Sequence, residues 1–426
     1  MVVSRVVFTN ANLLDGENAA APHSTVVVEG DRITYTGDGT GIETRPDDRL
    51  VDCAGRTLMP GMTTGHYHPT YSLVDTTPIP GFEDAPAYLA YKAAFNSGKT
   101  LRAGFTSAVG ASSPYAVDPS LAKAIRDGLV EGPRVVPCSA EIVTTADATD
   151  HVPWHWRAPV TPGVVMADGP DEWRKAVRRE IKQGAQIIKT YVTGGHGVRF
   201  GSEFSSVTLE ELRAAVDAAH ALGVRVRSHV ASKVGIMKCL DAGVDVIDHG
   251  DWLDMECIER MAEAGCVLVP SIYMFFAGST MRGDTELEGQ YGKVVRSTAA
   301  ILPSVVEAGI PIALGDDYGA TTAKHGQQGR ELPFYQQITG LSALEIIKWA
   351  TVHGGAIVGR PDEVGRIAPG YLADILLVDG DPSQDLGLMA EPDNLLIVMR
   401  DGQFFVDRSW ELAPPARERV PAGAVG

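Results

Sequence analysis

The sequence predicts an α/β protein, a (β/α)8 TIM barrel carrying a small β-sandwich formed by the N- and C-terminal segments. Three observations predict it. From residue 57 to about residue 353, short apolar runs alternate with amphipathic helical patterns, the rhythm of repeated βαβ units. Helical segments end in glycine and the next apolar run follows at once, as in "IKQGAQIIK", "HALGVRVRSHV", "LDAGVDVIDHG" and "AEAGCVLVPS". Glycine there suits the left-handed backbone that stops a helix. The two ends of the chain read instead as strands joined by Asp-Gly turns.

Residues 1–56 ("RVVFTNANLLDG", "STVVVEGDRITYTGDG") supply the first strands of the sandwich. The barrel is expected over residues 57–363, with eight strands in "TLMPGMTT", "FTSAVG", "RVVPCS", "QIIKTYV", "VRVRSHV", "DVIDHG", "CVLVPSI" and "PIALGDD". Helices lie between them, in segments such as "DEWRKAVRREIKQG" and "LDMECIERMAEAGC". Thr208 and Glu211 have the spacing of a capping box and mark one helix start. Residues 364–412 ("VGRIAPGYLADILLVDGD", "NLLIVMRDGQFFVD") return to strand patterns. Neither end is long enough for a secure domain of its own, so one composite sandwich with the barrel inserted is the economical arrangement. Residues 413–426 are rich in Pro and Gly and are expected to be a mobile tail.

Composition narrows the function. With 44% hydrophobic and 21% charged residues the chain can bury a large core and has no room for a long disordered tract. A net charge of −17 repels phosphate backbones and anionic lipid, which argues against nucleic-acid or membrane-surface partners. No apolar stretch reaches the length of a membrane span and "MVVSRVVFTNANLLDG" lacks the parts of a secretory signal, so a cytoplasmic location is expected. Five cysteines, odd in number and without a C-x-x-C pair, read as reduced, buried thiols.

The chemistry lies at the strand ends. "GHYHPTY" places His66 and His68 after the first strand, Lys189 sits in "QIIKTYV", His229 in "VRVRSHV", His249 in "DVIDHG", and Asp316 and Asp317 close "IALGDD". Each is near the C-terminal end of a different strand, the face on which barrel active sites are built. Imidazoles and a carboxylate suit Zn²⁺ or a similar divalent ion. An ammonium cannot ligate a metal, which leaves Lys189 two readings: a buried cation paired with a carboxylate, or a lysine carbamylated by CO₂ whose oxygens bridge two ions. Two positive centres favour the second.

With these residues in place, the sequence resembles the amidohydrolase superfamily, and within it the imidazolonepropionase-like and prolidase-type dipeptidase hydrolases. The resemblance covers essentially the whole chain and rests on "LMPGMTTGHYH", "GAQIIKTYVTGG", "VRVRSHV", "GVDVIDHGDWLD", "IALGDDYG" and "IAPGYLADILLVDGDP". It aligns "GDDYG" with the family's Gly-Thr-Asp-x-Gly run, making Asp317 the catalytic aspartate. It implies that His66, His68 and Asp317 hold one metal and His229 and His249 the other, with carbamylated Lys189 bridging. The ions would be two divalent metals, Zn²⁺ first, with Mn²⁺ or another as alternatives. It also implies a small-molecule substrate and a homo-oligomer.

The expected reaction is hydrolysis of an amide-type C–N bond by attack of a metal-bridging hydroxide, with Asp317 passing the proton to the leaving group. The alternatives are a one-metal deaminase and a cyclic amide or lactone hydrolase of the same superfamily. Deaminating relatives carry a Glu three residues after the strand-five histidine, where this chain has Ser232, and they lack the lysine. A barrel that has lost its metals and only binds is disfavoured by the complete ligand set. The pocket departs from that of dipeptide-cleaving relatives. At the places of their Gly-Gly-His-Gly and His-Ala-Tyr runs, this chain reads "VTTADATDHVPWHWR" and "SHVASK", with Ala231 at the tyrosine position. His151, Trp154, His155 and Trp156 after strand three, and Tyr273, Phe275 and Phe276 after strand seven, point to an aromatic or apolar substrate part. Tyr191, His196, Arg199 and His325 are further candidate substrate contacts, whereas His220 falls on a helix face.

Overall fold

The computed structural model describes residues 5–71, 84–147, 149–150, 155, 163–194, 201–319 and 323–412. The N-terminal strands are β1 (Arg5–Leu13), β2 (Ala21–Glu29), β3 (Arg32–Gly37), β4 (Arg49–Asp52) and β5 (Thr57–Pro60). The central region follows with β6 (Met62–Tyr67), β7 (Phe105–Gly110), β8 (Arg134–Val136), β9 (Cys138–Val143), β10 (Val164–Met166), β11 (Ile187–Tyr191), β12 (Arg225–Val230), β13 (Val246–His249) and β14 (Val267–Val269). The chain then returns through β15 (Ile375–Val378), β16 (Leu395–Arg400) and β17 (Gln403–Asp407).

Both ends share one eight-stranded sheet in the order β17-β16-β15-β5-β1-β2-β3, with β4 also pairing β1. The two halves meet where β15 runs antiparallel to β5, Ile375 opposite Pro60 and Val378 opposite Thr57. Alternate residues such as Val6, Phe8, Val26, Val28, Ile375 and Leu377 bury one face in a core of its own. This corrects the expected boundary, because residues 57–60 pair in the terminal sheet and not in the first barrel strand. The break is at Gly61, whose N–H donates to the Asp374 carbonyl at 2.8 Å and where any Cβ would collide with Thr106.

The central strands are parallel, β6-β7-β8 in one ladder and β10-β9-β11-β12-β13-β14 in the next. Pro137 separates β8 from β9, so a single extended segment belongs to both ladders, and its carbonyl accepts from Gln186 N–H at 2.8 Å. The unexpected β10 pairs with the upper half of β9. The expected eighth strand is reduced to a bridge between Ile312 and Leu268, followed by a 2.5 Å bond from Gly65 N–H to the Leu314 carbonyl. The chain leaves strand geometry at Gly315, where a Cβ would strike the His66 backbone. That close passage delivers Asp317 to the histidines.

The helices pack outside these strands, and their boundaries follow the sequence signals. Thr208 and Glu211 form the capping box of Leu209–His220. Gly184, Gly223, Gly243 and Gly265, the four glycines read as helix stops, all have positive φ. Ser232 caps Lys233–Ala242 by accepting from Gly235 N–H, which gives it a structural task. All five cysteines are free and buried. Among the described residues no helix is long and apolar enough to cross a membrane.

Candidate metal centre and active site

The expected ligands come together at the C-terminal ends of the parallel strands. His66 Nε2, His68 Nε2 and Asp317 Oδ1 form a triangle with sides of 3.0, 3.1 and 3.1 Å. His249 joins them, since ligand atoms of His66, His249 and Asp317 lie within 4.8 Å of one another. His249 also meets His229 edge-on, with ring centroids 4.4 Å apart. It therefore stands between the two halves into which the resemblance divides the ligands.

The donor set fits a cation. Burial pushes the His68 imidazole down to about 4, so it is neutral at neutral pH and offers a lone pair. Burial alone would raise Asp317, but His66 and His68 outweigh it and hold the carboxyl well below the usual range. Two imidazoles and an ionised carboxylate that converge at about 3 Å match the edge of a ligand shell with bonds of roughly 2.0–2.1 Å.

Beneath this triangle lies a charge network that reading the sequence missed. Asp248 is wholly buried and receives Lys189 Nζ at 2.6 Å, Arg227 Nε at 3.0 Å and a second Arg227 nitrogen. Burial alone would raise its pKa, but Arg227 and then Lys189 keep it well below the usual carboxylate range. Arg227 Nη1 also donates to the carbonyls of Gly65 at 2.8 Å and Gly110 at 2.7 Å, tying β6 and β7 to β12. Asp248 Oδ1 faces His66 Nδ1 at 3.6 Å, so the far side of that ring is supported while Nε2 points at Asp317. Neighbouring residues of a strand should face opposite ways. Asp248 and His249 both face the centre because His249 adopts φ +72°, a left-handed conformation uncommon outside glycine.

Asp316 and Asp317 take separate tasks. Asp316 is buried and accepts from Ser271 Oγ at 3.0 Å, Met274 N–H at 2.8 Å and Asp317 N–H at 2.7 Å, away from the histidines. Burial, then the charge of Asp317, raises it to about 6. Lys189 occurs here as the ion pair that was its first reading. Tyr191 lies flat on His229 with centroids 3.7 Å apart, and Tyr71 flat on His68 at 4.2 Å. Glu141, the register partner of Lys189, is raised by burial to about 7.

The remaining candidates divide. His151, Trp154, Trp156, His196 and Arg199 lie outside the described residues, and His155 is exposed. His325 is buried beside Tyr67, with ring centroids 5.7 Å apart. Tyr273 packs against Phe334 and Tyr318, Phe276 against Phe334, and the buried Phe275 against Tyr291, so these rings hold helix Tyr273–Met281 on the barrel. His220 pairs with Asp245 at 2.8 Å on its helix face.

The Amidohydrolase family model matches residues 57–405. Ochratoxinase of Aspergillus niger is 31% identical over 307 residues, covering 67% of this chain and 62% of that protein, so the chain spans less than two thirds of this relative's length. Its crystal structure superposes with a TM-score of 0.82 at 25% identity, covering 95% of this chain and 96% of that one. A crystal structure of a Xaa-Pro dipeptidase with methionine bound in the active site gives 0.82 at 28% identity, covering 94% of this chain and 99% of that one. Imidazolonepropionase of Cereibacter sphaeroides is 26% identical over 157 residues, 37% of this chain and 35% of that protein. These likenesses carry the TIM-barrel α/β fold with a β-sandwich, and the chain belongs to the amidohydrolase family.

Proposed function

We propose that the protein hydrolyses an amide-type C–N bond of a small molecule with two divalent metal ions, and that the substrate carries an aromatic or bulky apolar group beside the amide. The convergence of His66, His68, His249 and Asp317 at the strand ends carries this reading. Likeness to a Xaa-Pro dipeptidase, whose name places its chemistry at a peptide bond, supports the bond type. His66, His68, His229, His249 and Asp317 would hold the ions, joined by Lys189 as a carbamate. When bound, such ions lower the pKa of water and polarise a carbonyl oxygen.

The chain's own residues supply the rest. Asp317, kept ionised, can accept a proton at Oδ1 and return it to the leaving nitrogen. Asp248 and Arg227 orient His66, and Arg227 would continue to neutralise Asp248 if Lys189 gave up its ammonium. Ala231 is a small, buried residue just past the end of β12. Its carbonyl accepts from Trp252 N–H at 3.0 Å, and exposed Trp252 and Phe204 supply apolar surface after neighbouring strands.

The test is a release assay with metal-loaded protein over dipeptides, N-acyl amino acids, aryl amides, carbamates and lactones. N-acyl amino acids, aryl amides or carbamates with bulky apolar groups should be cleaved faster than plain aliphatic dipeptides. A clear preference for Xaa-Pro or other aliphatic dipeptides would overturn the substrate reading.

A further inference from the structure

The helix Pro86–Arg102 carries aromatic rings on its solvent face. Its buried face sets Leu89, Ala93 and Leu101 in the core and adds the polar Asn96, Ser97 and Thr100. Asn96 Nδ2 donates to the carbonyls of Pro69 at 2.8 Å and Tyr71 at 3.1 Å, Ser97 Oγ meets Tyr67 Oη at 3.1 Å, and Thr100 Oγ1 accepts from Gln328 at 2.9 Å. These polar groups grip the segment that bears His68. The solvent face, normally the polar one, carries Tyr88, Tyr91 and Phe95, which are 56%, 75% and 66% exposed.

With Lys99 and Arg102 these rings form one stripe at spacings of three and four residues. Rings of this kind bury about 150–250 Å² each, so the three leave roughly 400 Å² of apolar surface in water, about half of what each partner of a stable interface contributes. A patch of roughly 400 Å² is of the size of the largest apolar patch on an ordinary monomer, which is often a functional surface.

The order of residues along the stripe identifies the occupant. Asp84 stands before the helix and Arg102 closes it, the seventeen helical residues contain no acid, and the basic residues gather toward the C-terminal end. Read from either end, the stripe is self-complementary about a point between Tyr91 and Phe95.

We propose that two copies of this chain pack their Pro86–Arg102 helices antiparallel across a two-fold axis at that point. Tyr91 of one copy then lies on Phe95 of the other, Tyr88 meets Lys99, and Asp84 meets Arg102. Lys99 already sits over the Phe95 ring at 4.2 Å and Lys92 over Tyr88 at 5.3 Å, so the cation-and-ring pairing used across the axis is present within one copy. Antiparallel packing also sets each helix dipole against its opposite, and an isologous contact of this kind closes as a dimer. Exposed Leu129, two residues from the Arg102 partner Glu131, extends the patch.

Sedimentation equilibrium on the full-length, metal-loaded protein tests this. The wild type should have twice the chain mass or an even multiple of it. Tyr91→Glu should weaken the contact about 30-fold or more, halving the mass while circular dichroism and metal content stay unchanged. Asp84→Arg and Arg102→Asp should each weaken it, and the double variant should restore it. Mixing Tyr91→Cys protein with Phe95→Cys protein under mild oxidation should give a disulfide-linked pair of chains, which keeps the test open if Tyr91→Glu does not fold. A monomeric wild type, full assembly mass in folded Tyr91→Glu, or no crosslink would overturn the proposal. So would protection of the stripe from hydrogen exchange in a monomer, which would assign it to cover by residues 72–83 of the same chain.

Discussion

The two ends of the barrel both bury arginine against aspartate, with opposite results. At the N-terminal end, facing the terminal sheet, a cavity of about 1240 Å³ is lined by Arg32, Arg126, Arg134, Arg360 and Arg400 among others. Arg134 there binds Asp374 at 2.7 Å and also Asp401, Arg32 and Arg360 share Glu363, and Arg400 meets Asp401 at 3.2 Å. Most of these cations have a carboxylate, and little charge is left to attract a ligand. At the C-terminal end Arg227 and Lys189 satisfy Asp248, but above them imidazole nitrogens and the Asp317 carboxylate turn their lone pairs toward one point. A site is marked by converging groups of one kind, and neither cavity volume nor arginine count locates it.

The comparison can be broken most directly at Asp317. Asp317→Asn keeps the shape but removes the carboxylate proposed as proton acceptor, and kcat should fall about 10³-fold on whatever substrate the panel identifies. Unchanged kcat would remove Asp317 from the chemistry. Lys189→Ala should lose one or both metals by elemental analysis and regain part of its activity with acetate or formate. A full metal complement in that variant would leave Lys189 as an ion-pair partner of Asp248 only.

Arginine variants test the two ends against each other. Arg227→Leu leaves buried Asp248 with Lys189 as its one remaining cation and should cost about 3–5 kcal/mol in urea unfolding, with weakened metal binding because Arg227 no longer holds Asp248 and Gly65 beside His66. Arg134→Leu, with a partly solvated partner set, should cost less and leave metal affinity as it was. Equal effects on metal binding would erase the distinction between the ends.

The smallest effect is expected at Asp118, buried behind β7 with Oδ1 unpartnered among the described residues and Oδ2 3.5 Å from Cys138 N–H. Burial raises its carboxyl from the ordinary 3.8 to about 8. The folded state thus prefers the protonated form. Its contribution is whole below about pH 3.8 and is lost as pH rises through about 8. Asp118→Asn should remove that dependence and be about 1–3 kcal/mol more stable than wild type at pH 8. Urea titrations at pH 5 and pH 8 measure it.

The barrel rhythm and the gathering of the strand-end histidines with Asp317 were legible because strand ends, helix stops and isolated histidines each leave a local mark. Apart from residues 57–60, which pair in the terminal sheet, the eight apolar runs lie along the parallel ladders or their last bridge, and the four helix-stop glycines have the required backbone. What escaped depends on tertiary geometry. Arg227 in "VRVRSHV" looks like a surface residue of an amphipathic strand until its hydrogen bonds to Gly65 and Gly110 across the barrel are seen. Asp248 was hidden by alternation, which allows only one of Asp248 and His249 to face inward, and no residue type announced the left-handed turn that admits both. The split of the first strand at Gly61 was invisible because both halves are apolar and only their partners differ.

The pairing of β5 with β15 also sets a clock on biosynthesis. About 315 residues separate Pro60 from its partner Ile375, and at roughly 5–20 residues per second a ribosome needs about 15–60 s to cross that interval. Throughout it the first four strands and the apolar "TLMP" segment wait on the nascent chain without the strand that completes their sheet. Such an unpaired edge invites association with other chains, so yield in a heterologous host should depend on translation speed and on the supply of holdase chaperones.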